Sequence, residues 1–190
     1  IANKFQTHVE NSVPFYKEGH NLILELSDYF INDGSIVYDL GCSTGFLSKN
    51  LSIRNSDKKF KIYGIDSEKE MIDFAKLNNK TKNITFQNKD LVKLSLKKND
   101  LIVCYYTIQF IKPKYRQKIF DKIFKSLNWG GALIIFEKVR ANDARFQDIL
   151  TGVYNSYKED KGFSPEEIYN KTKSLKSILE PFSSNANIEL

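Results

Sequence analysis

The sequence predicts an α/β fold in which a parallel sheet is covered by helices on both faces. Three observations carry that reading. Short apolar runs rich in β-branched residues alternate with segments of helical periodicity, the pattern of strands linked by crossover helices. The first run, Ile36 to Leu40, passes through the small residues Gly41-Cys42-Ser43-Thr44-Gly45 into the helical start Phe46-Leu47. The runs are continuously apolar, as strands buried on both faces are.

Residues 2 to 10 read as a short helix. Pro14 suits the first position of the next helix, which carries Leu22, Ile23, Leu26, Tyr29 and Phe30 on one face and ends at Asn32-Asp33-Gly34. After the first strand a helix spans Gly45 to Arg54, and a second strand ends at Asp66. Ser67 and Glu70 have the spacing of a capping box, which predicts a helix from there to Leu77. Asn83 to Asn88 is the third strand and Leu101 to Tyr106 the fourth. Pro113 precedes a helix with Tyr115, Ile119, Ile123 and Leu127 on its apolar face, terminated by Trp129-Gly130-Gly131. Ala132 to Phe136 is the fifth strand. Helices follow over 142 to 158 and after Ser164-Pro165-Glu166-Glu167, a cap followed by proline and acids. The predicted strand order is 3-2-1-4-5.

Ligands on such sheets bind at the carboxyl ends of the strands. Asp39, Gly41, Cys42, Ser43, Gly45, Asp66, Asp90 and Tyr105 all fall there. Glycine lets backbone approach a ligand closely, and the free N–H groups of a helix start favour anionic groups. The Asp39 carboxylate attracts a cationic amine and repels a pyrophosphate. The dinucleotide fingerprint is incomplete, because Ser43 stands at its second glycine and no third follows. Asp66 follows Gly41 at close to the roughly 20-residue offset at which an acid holds ribose hydroxyls. Together these residues suit a nucleoside carrying an amino acid; the alternative is a plain β–α turn.

The chain has 190 residues, 41% hydrophobic and 27% charged, which is ordinary for a globular protein and enough for one domain with a real core. No apolar run approaches the roughly 20 residues that span a bilayer, and no signal peptide is visible, so a cytoplasmic location without membrane attachment is expected. Ile1 stands where an initiator Met would, which places the natural start upstream. Cys42 and Cys104 lack metal-ligand spacing and read as reduced thiols. The net charge of +6, from 29 Lys+Arg against 23 Asp+Glu, is spread as lysines around helices. It lacks the clustered basic and aromatic pattern of a nucleic-acid platform, so direct nucleic-acid binding is not expected.

The turn Asp39-Leu40-Gly41-Cys42-Ser43-Thr44-Gly45, the acid ending strand two, the acid after strand three and Asn128-Trp129-Gly130-Gly131 before strand five resemble the class I S-adenosyl-L-methionine (SAM)-dependent methyltransferases. Ser12-Val13-Pro14-Phe15-Tyr16, Tyr38 to Ser43, Tyr106-Thr107-Ile108-Gln109-Phe110, Glu137-Lys138 and Gly162-Phe163-Ser164 resemble, more closely, the carboxy-S-adenosyl-L-methionine (carboxy-SAM) synthase family. That family makes a carboxylated cofactor from SAM and prephenate for tRNA wobble-uridine modification. The resemblance runs from about Phe5 to Ile188. It implies the Rossmann-like class I fold and one SAM-binding domain over residues 1–190, with 1–20 as an N-terminal lid. It also implies a cofactor site of Tyr16, Gly41, Cys42, Ser43, Asp66, Ser67, Asp90 and Leu91. Asp66 would bind the ribose, Asp90 and Leu91 would flank the adenine, and Tyr16 would close over the site.

The family's seven strands exceed the five legible here, so the C-terminal strand hairpin reads as missing. Tyr105 replaces the family's Asn at the end of strand four. Thr172, in Lys171-Thr172-Lys173, replaces an Arg that pairs with the added carboxylate. A hydroxyl cannot supply that charged fork, so SAM, or its product S-adenosylhomocysteine (SAH), is expected as the ligand in preference to carboxy-SAM. The leading reading is a SAM-dependent methyltransferase acting on a small-molecule acceptor. Carboxy-SAM synthesis is the alternative, and a non-catalytic SAM-binding protein is a third reading. His8, His20, Tyr16, Tyr106 and Glu137 are candidates for a base, with both histidines expected at the surface. No metal is called for, and the chain is compatible with a homodimer.

Overall fold

A computed structural model describes residues 2–190; Ile1, and the reading of the chain start that rests on it, lie outside the described residues. The strands β1 (Ile36–Leu40), β2 (Lys61–Asp66), β3 (Ile84–Asn88), β4 (Asn99–Tyr105) and β5 (Leu127–Phe136) form one sheet. Its order is β3-β2-β1-β4-β5, and every neighbouring pair is parallel. The chain builds outward from β1 to β3 and returns to pair β4 with the other side of β1. This reversal opens a crevice at the carboxyl ends of β1 and β4.

Alternation along the strands sends side chains to two helical layers. Val37, Ile62, Leu101 and Val103 pack on one face against Ile23 of α2 (Tyr16–Ser27) and Leu51 of α3 (Phe46–Arg54). Tyr38, Leu40, Ile65, Ile102 and Cys104 face Ile119 and Ile123 of α5 (Pro113–Ser126) on the other. Ile72 and Ala75 of α4 (Lys69–Asn78) bury Cys42 and Phe86. The first helix, α1 (Ala2–Ser12), packs on α4 and α2. The later helices are α6 (Ala144–Asp160), α7 (Pro165–Ser174) and α8 (Ser184–Ile188). Among the described residues no helix is long and apolar enough to cross a membrane.

Several boundaries differ from the sequence reading, each for a local reason. Phe15 takes a left-handed conformation (φ 57°) and α2 starts at Tyr16, which leaves Pro14 in the turn before it. The helix ends at Ser27, so Tyr29 lies beyond the apolar face and is 80% exposed. The Ser67–Glu70 capping box does not form. Its helix starts later, with Glu68 at the cap; the Glu68 N–H donates to Asp66, and Glu70 accepts instead from the Ala2 N–H at 3.2 Å. Leu127 is not on the apolar face of α5 but opens β5, opposite Asn99. The register then jumps to Ala132 opposite Leu101, so Trp129 and Gly130 bulge outward from the strand. The capping box at Ser164 and Glu167 does form, with both reciprocal bonds present.

Protein contacts fix the glycine-containing turn after β1. Gly41 has φ +79°, and a Cβ there would lie 2.3 Å from Thr107 Oγ1. That hydroxyl donates to the Leu40 carbonyl at 2.7 Å, tying the end of β4 to the end of β1. Gly45 has φ +76°, and its Cβ would lie 2.6 Å from the Phe86 ring. Gly41→Ala should therefore destabilise the fold. The left-handed alanine alone costs about 1–2 kcal/mol, and the Thr107 contact adds to it; chemical denaturation measures the loss.

Candidate functional site

The carboxyl edge is assembled from the ends of β1, β2, β4 and β5 and the start of α2. Ser43 occupies a left-handed conformation (φ 49°). Its N–H donates to Asp66 Oδ2 at 2.8 Å, while its hydroxyl is buried without a hydrogen-bond partner. Ser43 thus combines a left-handed backbone with an orphaned buried hydroxyl, two features that gather at functional sites. Cys42 is buried, and burial with the charges of Asp39 and Asp66 raises its thiol well above the ordinary value, so the helix start beside it produces no reactive thiolate. Cys104 is likewise a buried free thiol.

The two strand-end acids sit differently. Asp39 is 1% exposed and accepts from the Ser48 hydroxyl of α3 at 2.6 Å. It therefore points into the α3 layer instead of standing open to an amine, as the sequence reading has it. Burial pushes its carboxyl up to about 6, against the opposing bond from Ser48. Asp66 lies at the surface of the crevice. Its two oxygens accept one backbone N–H each, from Ser43 and Glu68, and each retains a lone pair. Burial also raises this carboxyl. Ser67 is exposed beside it. Across β3, Asp90 is exposed and accepts from the Val92 N–H at 2.8 Å, which turns the chain so that Leu91 packs into the α5 layer.

An aromatic cluster closes the β4 side. Tyr105 is 8% exposed and donates its hydroxyl to the Tyr16 carbonyl at 2.5 Å. This bond pins the first turn of α2. Gly19 is required for this contact, since a Cβ there would lie 2.6 Å from the Tyr105 oxygen. The Tyr16 ring stacks on His20 at 5.2 Å and on Tyr106 at 6.0 Å. Tyr106 itself is left-handed, with φ 55°.

Of the base candidates, His8 is exposed and packs edge-on against Phe163, away from this cluster. His20 is not at the surface as expected but 5% exposed; burial pushes it down to about 4, which keeps it neutral at ordinary pH. Glu137 is engaged by backbone. Its oxygens accept from the N–H groups of Thr107, Ile108 and Gln109 at 3.1, 2.7 and 3.0 Å. Burial nevertheless raises it to about 7. These three bonds make it an anchor for the turn after β4.

Thr172 lies on α7, exposed, with its hydroxyl donating to the Ile168 carbonyl at 2.8 Å. It borders a cavity of about 240 Å³ with Asn155, Glu159 and Tyr169 between α6 and α7, and none of the crevice residues lines that cavity. A larger cavity of about 390 Å³ lies at the opposite, amino edge of the sheet, lined by Ser35, Asp100 and Trp129 among others. There the Asp100 oxygens are already taken by the Ile36 N–H and by Asn128. Among the described residues no group of three or more His, Cys, Asp or Glu side chains has the arrangement of a metal site.

The family model for a methyltransferase domain matches residues 37–131, from β1 to the bulge of β5. A carboxy-S-adenosyl-L-methionine synthase from Campylobacter lari is 38% identical over the whole of this chain and 81% of its own length. One from Staphylococcus epidermidis is 34% identical over 98% of this chain and 81% of its own. The chain belongs to the carboxy-S-adenosyl-L-methionine synthase family. It is thus an enzyme of the transferase class built on the class I methyltransferase fold. Among solved structures, the YcgJ protein of Bacillus subtilis superposes with a TM-score of 0.63 at 16% identity, over 90% of this chain and 64% of that one, a likeness of fold alone.

The sequence reading missed Gly19, Thr107 and Gln109 in this synthase-family chain. Gln109 donates its N–H to Glu137 and accepts the Lys138 N–H on its side chain at 3.1 Å, so it locks β4 to β5. Thr107 and Gln109 lie in a segment noted for its resemblance, but no spacing rule marks their bonds. Asp39 gives a pH signature. The folded protein holds its proton more tightly than the unfolded chain, so its contribution to stability is full below about pH 4 and is lost as pH rises through about 6. Asp39→Asn removes that loss. Urea denaturation should show the variant gaining on the parent by up to ~3 kcal/mol between pH 4 and 7; a constant difference over that range would contradict it.

Proposed function

We propose that the chain is a SAM-dependent transferase that holds SAM at the carboxyl edge, in the crevice beside β1 with Asp66 at the end of β2, and acts on a small molecule. The observation that carries this reading is the pairing of Ser43 and Asp66. One supplies an unpartnered buried hydroxyl, and the other a carboxylate with lone pairs to spare beside it. In this reading Asp66 accepts the ribose hydroxyls and Ser43 with Gly41 and Cys42 borders the nucleoside. Asp90 and Leu91 flank the adenine, and residues 2–20 close over the edge with Tyr16 innermost. Asp39 acts from beneath, as a buried negative charge below the turn. When bound, SAM supplies an already activated methyl group, so the protein's task is alignment of donor and acceptor. The neutral His20 and the tyrosines exclude water from that end without carrying charge into it.

SAM is favoured over carboxy-SAM because Thr172, at the position of the family's carboxylate-pairing Arg, is uncharged and borders the groove between α6 and α7, so this position supplies the crevice with no cation. An added carboxylate left unpaired in an enclosed site costs several kcal/mol. A second reading, synthesis of carboxy-SAM, is favoured by the relatives of that name aligned along the whole chain. Both readings begin with bound SAM.

Calorimetry with SAM tests the shared step. Asp66→Ala should weaken binding by about 1.5–3 kcal/mol, the range for hydrogen bonds to a charged group. Ser43→Gly should stabilise the unliganded protein by about 1 kcal/mol, because it relieves a left-handed side chain and removes an unsatisfied hydroxyl, while weakening SAM. Unchanged affinity in both variants would remove this crevice from the binding site. The mass of the product formed from SAM then separates methyl transfer from carboxy-SAM synthesis.

A further inference from the structure

At the amino edge of the sheet, opposite the crevice, two exposed aromatic rings line the cavity of about 390 Å³. Tyr29 stands out from the turn that follows α2, and Trp129 from the bulge of β5. Neither ring serves the core. Trp129 is fully exposed and is the chain's single tryptophan. Gly130, with φ +80° and open space where a Cβ would stand, lets the bulge leave the strand.

Two carboxylates line the same cavity, Asp33 and Asp100, and no basic side chain does. The ion pairs among the described residues are Lys17–Glu10, Arg54–Asp28 and Lys69–Asp73, so neither acid is matched by a cation. Hydrogen bonds hold both acids in place. Asp33 accepts the Lys59 N–H on one oxygen at 2.6 Å. Asp100 accepts the Ile36 N–H and the Asn128 amide on separate oxygens at 2.9 and 2.8 Å. A carboxylate oxygen has two lone pairs, so both groups keep acceptor capacity. The turn that carries Asp33 is itself braced. The Gly34 N–H donates to the Lys59 carbonyl at 2.7 Å, and the Asn32 N–H to the Ser35 hydroxyl at 2.9 Å. The acids are therefore ordered before any ligand arrives, which lowers the cost of binding.

Two unpaired carboxylates beside two open rings complement a planar cation. A guanidinium matches carboxylates through its fork of donors and stacks on aromatic faces, whereas an ammonium is a strongly hydrated point charge. Exposed Trp and Tyr are also the side chains that anchor protein interfaces. The chain as a whole carries a net charge of +6, which repels cations at long range. Affinity for a cation at this edge must then come from the local groups. We propose that the cavity is a docking site for an arginine-bearing segment of a partner protein, its guanidinium held by Asp33 and Asp100 and its stem lying against Tyr29 and Trp129. The proposal goes beyond the transferase reading and does not depend on it, because the cavity and the crevice occupy opposite edges of the sheet.

Trp129 reports on the site directly. Its fluorescence is followed while the protein is titrated with the peptide acetyl-Gly-Arg-Gly-Arg-Gly-amide and with two counterparts. One carries citrulline, which turns each guanidinium into a neutral urea, and the other carries lysine. The arginine peptide should shift the emission saturably. It should bind at least about tenfold more tightly than the citrulline peptide and about threefold more tightly than the lysine peptide. Asp33→Asn and Asp100→Asn keep an acceptor oxygen for the existing bonds, and each should lower the arginine-to-citrulline ratio at least about threefold. Tyr29→Ala should weaken the arginine peptide by a similar factor, and SAH affinity, measured separately, should be the same in every variant. The absence of a saturable change, equal binding of the arginine peptide and either counterpart, or a ratio that survives both asparagine substitutions overturns the proposal. So does a concentration-dependent dimer that the arginine peptide dissociates, which would assign the cavity to a second copy of the chain. Should Asp100→Asn fail to fold, the ratio in Asp33→Asn, at the exposed position, decides.

Discussion

The carboxylate of Glu137 holds the carboxyl edge together. It accepts the N–H groups of Thr107, Ile108 and Gln109, three donors at the start of the turn after β4 that have no other means of satisfaction. With that turn in place, Thr107 reaches the Leu40 carbonyl and packs against Gly41, and Gln109 reaches Lys138. Arg116, 1% exposed, extends the same network outward, donating to the carbonyls of Ile111, Gln109 and Glu180. Its guanidinium lies 4.2 Å from the Phe182 ring. One half-buried acid thus coordinates the ends of β1, β4 and β5, the α5 layer and the chain near residue 180.

Backbone strain gathers at the same edge. Phe15, Ser43 and Tyr106, none of them glycine, all have positive φ. Each such residue carries a cost of order 1–3 kcal/mol that the surrounding packing must sustain. Phe15 aims the chain so that the Tyr16 carbonyl meets Tyr105. Ser43 aims its N–H at Asp66. Tyr106 turns its ring onto Tyr16. A fold that tolerates three such residues at one rim is using them to position groups, and a position of this kind is where stability and binding pull in opposite directions.

Much of the fold was legible in the sequence because it depends on local pattern. The apolar runs, the small-residue turn and the acids at strand ends place every strand, and a parallel sheet of five strands in this order follows from them. The positions of Asp66 and Asp90 at the edge follow as well. What the sequence did not reveal is set by contacts distant along the chain. The packing of Thr107 against Gly41 and the bond of Tyr105 to the Tyr16 carbonyl join residues far apart in the chain. Asp39 reads as an open carboxylate, but Ser48 draws it inward. Thr172 reads as the missing partner of a carboxylate, yet it borders the groove between α6 and α7.

The central claim is that Glu137 builds the edge by holding the turn at Thr107 to Gln109. Hydrogen exchange at those three amides, compared between the parent and Glu137→Gln, addresses it most directly. The amide of a glutamine can replace only part of the acceptor capacity of a carboxylate, and an unsatisfied buried donor costs about 1–3 kcal/mol. Exchange at Thr107, Ile108 and Gln109 should therefore accelerate by about tenfold or more relative to amides in the core of β1. Equal protection of the three amides in parent and variant would contradict the account.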